Sequence, residues 1–299
     1  MPDNETHTHL PARPPFQLSV VALSHGWIQL PPFGYDRETG VISYVTRLAH
    51  GAITEIHITE AGDGVNVLAD TSLTAEEQIE LAAQVTWMLG LDQDLGPFHD
   101  KAREEPKLAH VIGSARGRIL RSAGLFEDTV KTILTTNTSW AGTKRMVAAL
   151  VNRYGTPHPG DPARQDSAPR RRAFPAPSQL AAVAAEELRA AGLGYRAPFV
   201  ATLARAVTEK GLDLEALRDS DLTTPEIRAQ LLAIKGVGAY AAANLLMLLG
   251  RYDFVPIDSW AKQVVSREWH NGAPVGREEV EAAFEAWGEW QGLAYWFWA

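Results

Sequence analysis

The residues best placed to do chemistry lie between Thr224 and Val265, where the chain reads TPEIRAQLLAIKGVGAYAAANLLMLLGRYDFVPIDSWAKQVV. Gly236-Val237-Gly238 ends one helical pattern and opens another. Two glycines allow a tight turn with positive φ and let another backbone come close. The first amides of the second helix have no partner inside it, and the helix dipole adds partial positive charge there. Phosphate is the ligand chemistry that fits such an end. Twenty residues beyond Gly238, after Val255, Pro256 and Ile257, stands Asp258 at the start of a new helix. A carboxylate at a helix start is held rigidly, as a group that does chemistry must be. The competing readings are bland ones: an ordinary helical hairpin, and a plain helix N-cap, a role compatible with chemistry at the same residue.

The elements that must position these groups are legible around them. Thr224 is expected to cap a helix with Pro225 at its first position, with Ile227, Leu231 and Ile234 on one face. The hairpin then spans 225–249; Val237 anchors it in the core, and Ala239–Leu249 is apolar enough to be largely buried. Further helices are expected at Leu125–Thr136, Ala141–Tyr154, Pro177–Ala190, Ala197–Lys210, Ser259–Trp269 and Arg277–Trp287. Thr74 with Glu77 reads as the capping box of another. Upstream, FQLSVVAL, VISYVTRLA, AITEIHIT and GVNVLA read as strands separated by turn signals. The expected class is α+β, mainly α: a disordered tail (1–15), an antiparallel sheet domain with a helix (16–105), and an all-helical region (106–299) with a surface loop at 156–178.

The 299 residues contain no cysteine, which excludes disulfides, a cysteine-held iron–sulfur cluster and a thiolate zinc site. None of the nine His stands at metal-ligand spacing, so no metal site is expected. No apolar run approaches the length of a membrane span, and Met1–Pro15 lacks the pattern of a signal peptide; a cytoplasmic protein, nucleoid-associated if prokaryotic, and a monomer are expected. The net charge of −8 speaks against a nucleic-acid partner, but Val111–Pro175 holds eleven Lys and Arg against four acidic residues. Such a segment forms a local phosphate-binding face or a solvated charged surface. The Arg170-Arg171-Arg172 run within it is left without an assigned role.

Hairpin, apolar helix, loop and Pro-x-Asp together resemble the core of the helix-hairpin-helix (HhH-GPD) DNA glycosylase superfamily. LFEDTVKTILTTNTSWAGTKRMVAALVNRYG resembles its first helical pair. The Gly-Leu-Gly-Tyr-Arg-Ala segment and the strand-rich N-terminus are similar to the 3-methyladenine and 8-oxoguanine branches. The resemblance implies a DNA-repair enzyme of base excision that flips a damaged base out of duplex DNA and hydrolyses its N-glycosidic bond. It makes Asp258 the catalytic residue and Gly236, Val237 and Gly238 the phosphate grip, with Lys235 nearby on the DNA side. Asn137 matches a residue inserted near the opposite base. Branches that also cut the backbone carry a lysine two residues after the second glycine; here that position is Tyr240, so no lyase activity is expected. Tyr240, Trp290, Gln291, Tyr295 and Trp296 are the candidates for the base pocket, where aromatic rings would favour alkylated purines such as 3-methyladenine. No cofactor is implied beyond a monovalent cation that the hairpin carbonyls would allow. The alternatives are a glycosylase for oxidised guanine or deaminated bases, and a non-catalytic DNA-binding protein that uses the hairpin only to hold phosphate.

Overall fold

The computed structural model describes residues 5–48, 51–161 and 171–298. In chain order the strands are β1 (Thr6–Pro11), β2 (Phe33–Tyr35), β3 (Ile42–Arg47), β4 (Ile53–Ala61) and β5 (Gly64–Ala69). The helices are α1 (Leu18–Ala22), α2 (Ala75–Leu89), α3 (Gly96–Ala102), α4 (Ala109–Gly113), α5 (Leu125–Thr135), α6 (Trp140–Tyr154), α7 (Pro177–Ala181), α8 (Ala185–Leu188), α9 (Ala197–Glu209), α10 (Thr224–Ala233), α11 (Ala239–Leu248), α12 (Ser259–Trp269), α13 (Arg277–Phe284) and α14 (Gln291–Trp296). An α+β fold, mainly α, is what these elements make. Among the described residues no helix is long and apolar enough to cross a membrane.

The chain divides into two compact units that do not follow the expected boundary near residue 105. The first joins residues 1–94 to 118–213, so the sheet shares a unit with α5 to α9. The second joins residues 95–117 to 214–299 and carries α3, α4 and α10 to α14.

In the first unit the sheet is antiparallel in the order β1-β5-β4-β3-β2. Within the expected disordered tail, Thr6–Pro11 instead form strand β1, paired with β5 from Thr6↔Ala69 to Pro11↔Gly64, and residues 1–4 of the tail lie outside the described residues. The partner lies far away in sequence, so nothing in the polar THTHLP segment announces it. Gly64 is required at the end of this ladder, because a Cβ there would run into Leu10 O. FQLSVVAL, expected as a strand, contains α1: Leu18, Val21 and Ala22 are the buried positions, which is helical spacing. The capping box of α2 forms as expected, with Thr74 N donating to Glu77 at 2.9 Å and Glu77 N to Thr74 at 3.3 Å. The expected Pro177–Ala190 helix is broken into α7 and α8, followed by a turn in which Gly192 takes φ +101°.

Buried charge ties sheet and helix within this unit. Lys131 is wholly buried on α5, 2.6 Å from Glu127, which also accepts the Tyr44 hydroxyl at 2.8 Å. Trp27 Nε1 donates to Asp128 at 2.7 Å, so this indole belongs to the core. Arg118, also buried, donates to the carbonyls of Arg13, Pro15, Gly90 and Gln93. Arg171 pairs with Glu55 and Asp70, and Arg172 lies 3.3 Å from Asp161. Much of the basic segment's charge is therefore spent inside the protein rather than on a phosphate-binding face. Residues 162–170 of the expected loop, with Arg170, lie outside the described residues.

Candidate active site

The hairpin in the second unit is built from local rules. Thr223, one residue before the expected cap, starts α10: its amide donates to Glu226 at 2.8 Å and its hydroxyl at 2.6 Å. Ile227, Leu231 and Ile234 bury one face. Gly236 takes φ +96°, a conformation L side chains rarely adopt. Val237 is buried as expected, and its amide donates to Ile234 O at 3.0 Å. Gly238 differs from the expectation of positive φ: it caps α11 at φ −93°, where any residue fits. A Cβ on Gly238 would meet nothing within 4 Å, so its lack of a side chain leaves open exposed space in front of the α11 amides. Lys235 is exposed. Of the hairpin carbonyls, Ile234 O accepts the Val237 amide and Gly238 O the Ala242 amide at 2.9 Å. Among the described residues no group of three or more His, Asp and Glu side chains stands ready to hold a metal.

Residues 255–258 run into α12 with alternating faces. Val255 and Ile257 line a pocket of about 230 Å³ with Ala239, Tyr240, Lys262 and Arg277. Pro256 and Asp258 line a second, of about 290 Å³, with Tyr240, Trp260, Tyr295 and Trp296. Tyr240 is the wall common to both. Asp258 is half-buried and caps α12, its Oδ1 accepting the Ala261 amide at 2.8 Å. The Tyr295 hydroxyl donates to the same oxygen at 3.2 Å. Burial, followed by the nearby charge of Asp258, raises the phenols of both Tyr240 and Tyr295 above their ordinary value, Tyr295 the more strongly. Both therefore remain protonated, as hydrogen-bond donors.

What brings the C-terminal residues to Asp258 is the seat of α14. Gly292 N donates to Tyr252 O at 2.6 Å, and a Cβ on Gly292 would meet Phe254 O at 2.8 Å and Tyr252 O at 2.9 Å. Gln291 Nε2 donates to Asp253 O at 2.6 Å. Gln291 is thus an anchor of the 252–254 loop and does not line the Asp258 pocket, contrary to the expectation. Trp290 is likewise outside it, stacked on Tyr252 at 5.8 Å and packed against Phe98. Trp260, which the sequence reading passed over, joins instead. The signal for it was present: α12 buries Ala261, Val264 and Val265, so Trp260 lies off the buried face, and it is 55% exposed beside a carboxylate.

Asn137 belongs to the first unit. It is exposed, two residues past the end of α5, at φ +46°, where Asn is favoured after Gly. Its Nδ2 donates to the Tyr195 hydroxyl at 3.4 Å. Buried Arg196 donates to Thr136 O at 3.0 Å and Asn137 O at 3.1 Å, so the Tyr-Arg pair of the Gly-Leu-Gly-Tyr-Arg-Ala segment shapes this tip.

Residues 130–289, more than half of the chain, match the family described as HhH-GPD superfamily base excision DNA repair protein. The chain belongs to this superfamily. The HhH-GPD chain is 24% identical over 235 residues to a probable N-glycosylase/DNA lyase of Methanothermobacter thermautotrophicus, covering 71% of its own length and 72% of the relative's. Its fold is that of the 3-methyladenine DNA glycosylase from Archaeoglobus fulgidus, at a TM-score of 0.74 and 19% identity over 98% of this chain and 97% of that one. The Clostridium acetobutylicum 8-oxoguanine glycosylase/lyase is as similar in fold, at 0.74 and 17% identity over 100% and 97%. The HhH-GPD chain is a DNA glycosylase of base excision repair.

Proposed function

We propose that this chain is a monofunctional glycosylase that removes alkylated purines such as 3-methyladenine from duplex DNA. The observation that carries the reading is a carboxylate, Asp258, in a pocket walled by Tyr240, Trp260, Tyr295 and Trp296, with no amine among its lining residues. The damaged nucleotide leaves the stack, its phosphate held at the α11 amides beside Gly236, Val237 and Gly238. A purine carrying positive charge is attracted to the faces of the surrounding rings. As the N-glycosidic bond breaks, its electron pair goes to the base and cancels that charge, so no acid need protonate the leaving group. The cation left at C1′ is stabilised by Asp258, which also takes a proton from the water that attacks C1′. The products are the free base and an abasic site. Tyr240 stands where a lysine would form a Schiff base, and a phenol cannot form one.

A neutral base, such as oxidised guanine, is the second reading, favoured by the Gly-Leu-Gly-Tyr-Arg-Ala segment. A neutral base departs more readily when protonated, and phenols raised above their ordinary value are poor acids for that step. The test is base release from duplexes carrying one defined lesion each, for the wild type and Asp258→Asn, with strand cleavage read before and after alkali. Release of 3-methyladenine by the wild type alone, with strands cut only after alkali, is expected. Release confined to oxidised guanine or uracil would replace the substrate. Cutting without alkali would overturn the monofunctional assignment.

A further inference from the structure

Both hydrogen bonds that fix Asp258 fall on one oxygen. Oδ1 accepts the Ala261 amide at 2.8 Å and the Tyr295 hydroxyl at 3.2 Å, and Oδ2 accepts none from the described residues. An N-cap bond by itself leaves a carboxylate free to turn about χ2, whose well is broad. A second donor on the same oxygen, from a different helix, removes that freedom. The Tyr295 ring is 7% exposed and meets Phe284 edge-on at 5.7 Å. Its helix is fastened to the 252–254 loop through Gly292 and Gln291, so the hydroxyl is held from both the ring and the backbone.

We infer that Tyr295 is a positioning residue for the glycosylase reaction: its hydroxyl pins Oδ1 of Asp258 and thereby presents Oδ2 to the developing cation at C1′. The inference rests on the glycosylase reading but not on which lesion is removed. It gives Tyr295 a different part from its aromatic neighbours. Trp260, Trp296 and Tyr240 offer faces to a base, whereas the ring of Tyr295 serves to carry an oxygen. The other side chains that line the pocket do not substitute for it: among the described residues, the donors to the Asp258 carboxylate are the Ala261 amide and the Tyr295 hydroxyl, and Tyr240, Trp260 and Trp296 make no hydrogen bond to it. Lys262 opens on the neighbouring pocket.

The test uses duplexes with two abasic analogues, a pyrrolidine whose ring is cationic like the transition state and a neutral tetrahydrofuran, bound to the wild type and to Tyr295→Phe. The wild type should prefer the pyrrolidine duplex. Tyr295→Phe should lose about tenfold of that preference, the worth of one hydrogen bond to a charged group, while its affinity for the tetrahydrofuran duplex stays within about twofold. On a released lesion, its single-turnover rate should fall by a similar factor at unchanged KM. 4-Aminophenylalanine at position 295, which restores a donor, should recover part of the preference, and serves as a second variant if Phe does not fold. A Tyr295→Phe protein that keeps the full preference would overturn the inference and leave the glycosylase reading standing. A wild type with no preference for the cationic ring would overturn both.

Discussion

Asp128 and Asp258 stand at the starts of two helices, and each takes a hydrogen bond from an aromatic side chain. Their surroundings differ in what is left over. Asp128 is wholly buried; Trp27 Nε1 reaches Oδ1 at 2.7 Å, and the Ser122 amide reaches Oδ1 at 3.0 Å and Oδ2 at 3.3 Å. Both of its oxygens are used, and Lys131 and Glu127 complete a closed network. Asp258 is half-buried and lines an aromatic pocket; its Oδ1 accepts two hydrogen bonds and its Oδ2 none from the described residues. The first arrangement spends a carboxylate on holding a core together. The second leaves one oxygen without a donor among the described residues. The role proposed for Asp258 rests on spare acceptor capacity with access, rather than on burial or charge alone.

Substitution should separate the two sharply. Asp258→Asn should lower single-turnover base release by on the order of 10³-fold while barely moving the unfolding midpoint, since Asn also caps helices well. Asp128→Ala should do the reverse. It strands a buried indole N–H and disturbs the Lys131 network, at a cost of about 3 kcal/mol in urea unfolding, with the rate per folded molecule unchanged. An Asp128 variant that is fully stable but inactive would break the comparison.

The first unit also carries a pH signature. Burial raises Asp128 to about 6 from 3.8, so between those values the folded state binds the extra proton and stability falls as pH rises. Burial lowers His25 to about 4 from 6.5, so across nearly the same window the unfolded state binds the extra proton and stability rises with pH. The two slopes oppose each other. His25→Gln removes only the rising one, and the variant should lose stability relative to wild type as pH climbs from about 4 to about 6. Urea midpoints at several pH values read this directly, and a difference that does not vary with pH would show that the imidazole is not held neutral.

The smallest effects sharpen the same contrast at the hairpin. Gly236→Ala places a Cβ at φ +96° and should cost about 1–2 kcal/mol of stability. Gly238→Ala meets no atom and no strain, so stability should be kept, yet binding to undamaged duplex should weaken by about tenfold as the methyl stands between phosphate and amides. Unchanged binding by the folded Gly238→Ala protein would remove the phosphate grip from the hairpin.

The sequence by itself determined the features whose causes lie within a few residues. The Thr74 capping box, the Gly236 turn, the Val237 anchor, Asp258 at a helix start and the missing lysine at position 240 all follow from local dihedrals, caps and residue type. So does the exclusion of cysteine chemistry. What only the tertiary structure decided depends on partners far along the chain. The Tyr295 bond to Asp258 spans 37 residues, the pairing of Arg171 with Glu55 spans 116, and strand β1 exists only against β5. For the same reason Trp260 entered the pocket while Trp290 and Gln291 went to other work, and charges that looked free in a count proved to be held inside. Helix periodicity says which side of a helix is apolar; it does not say which neighbour that side will meet, and a pocket is made of neighbours.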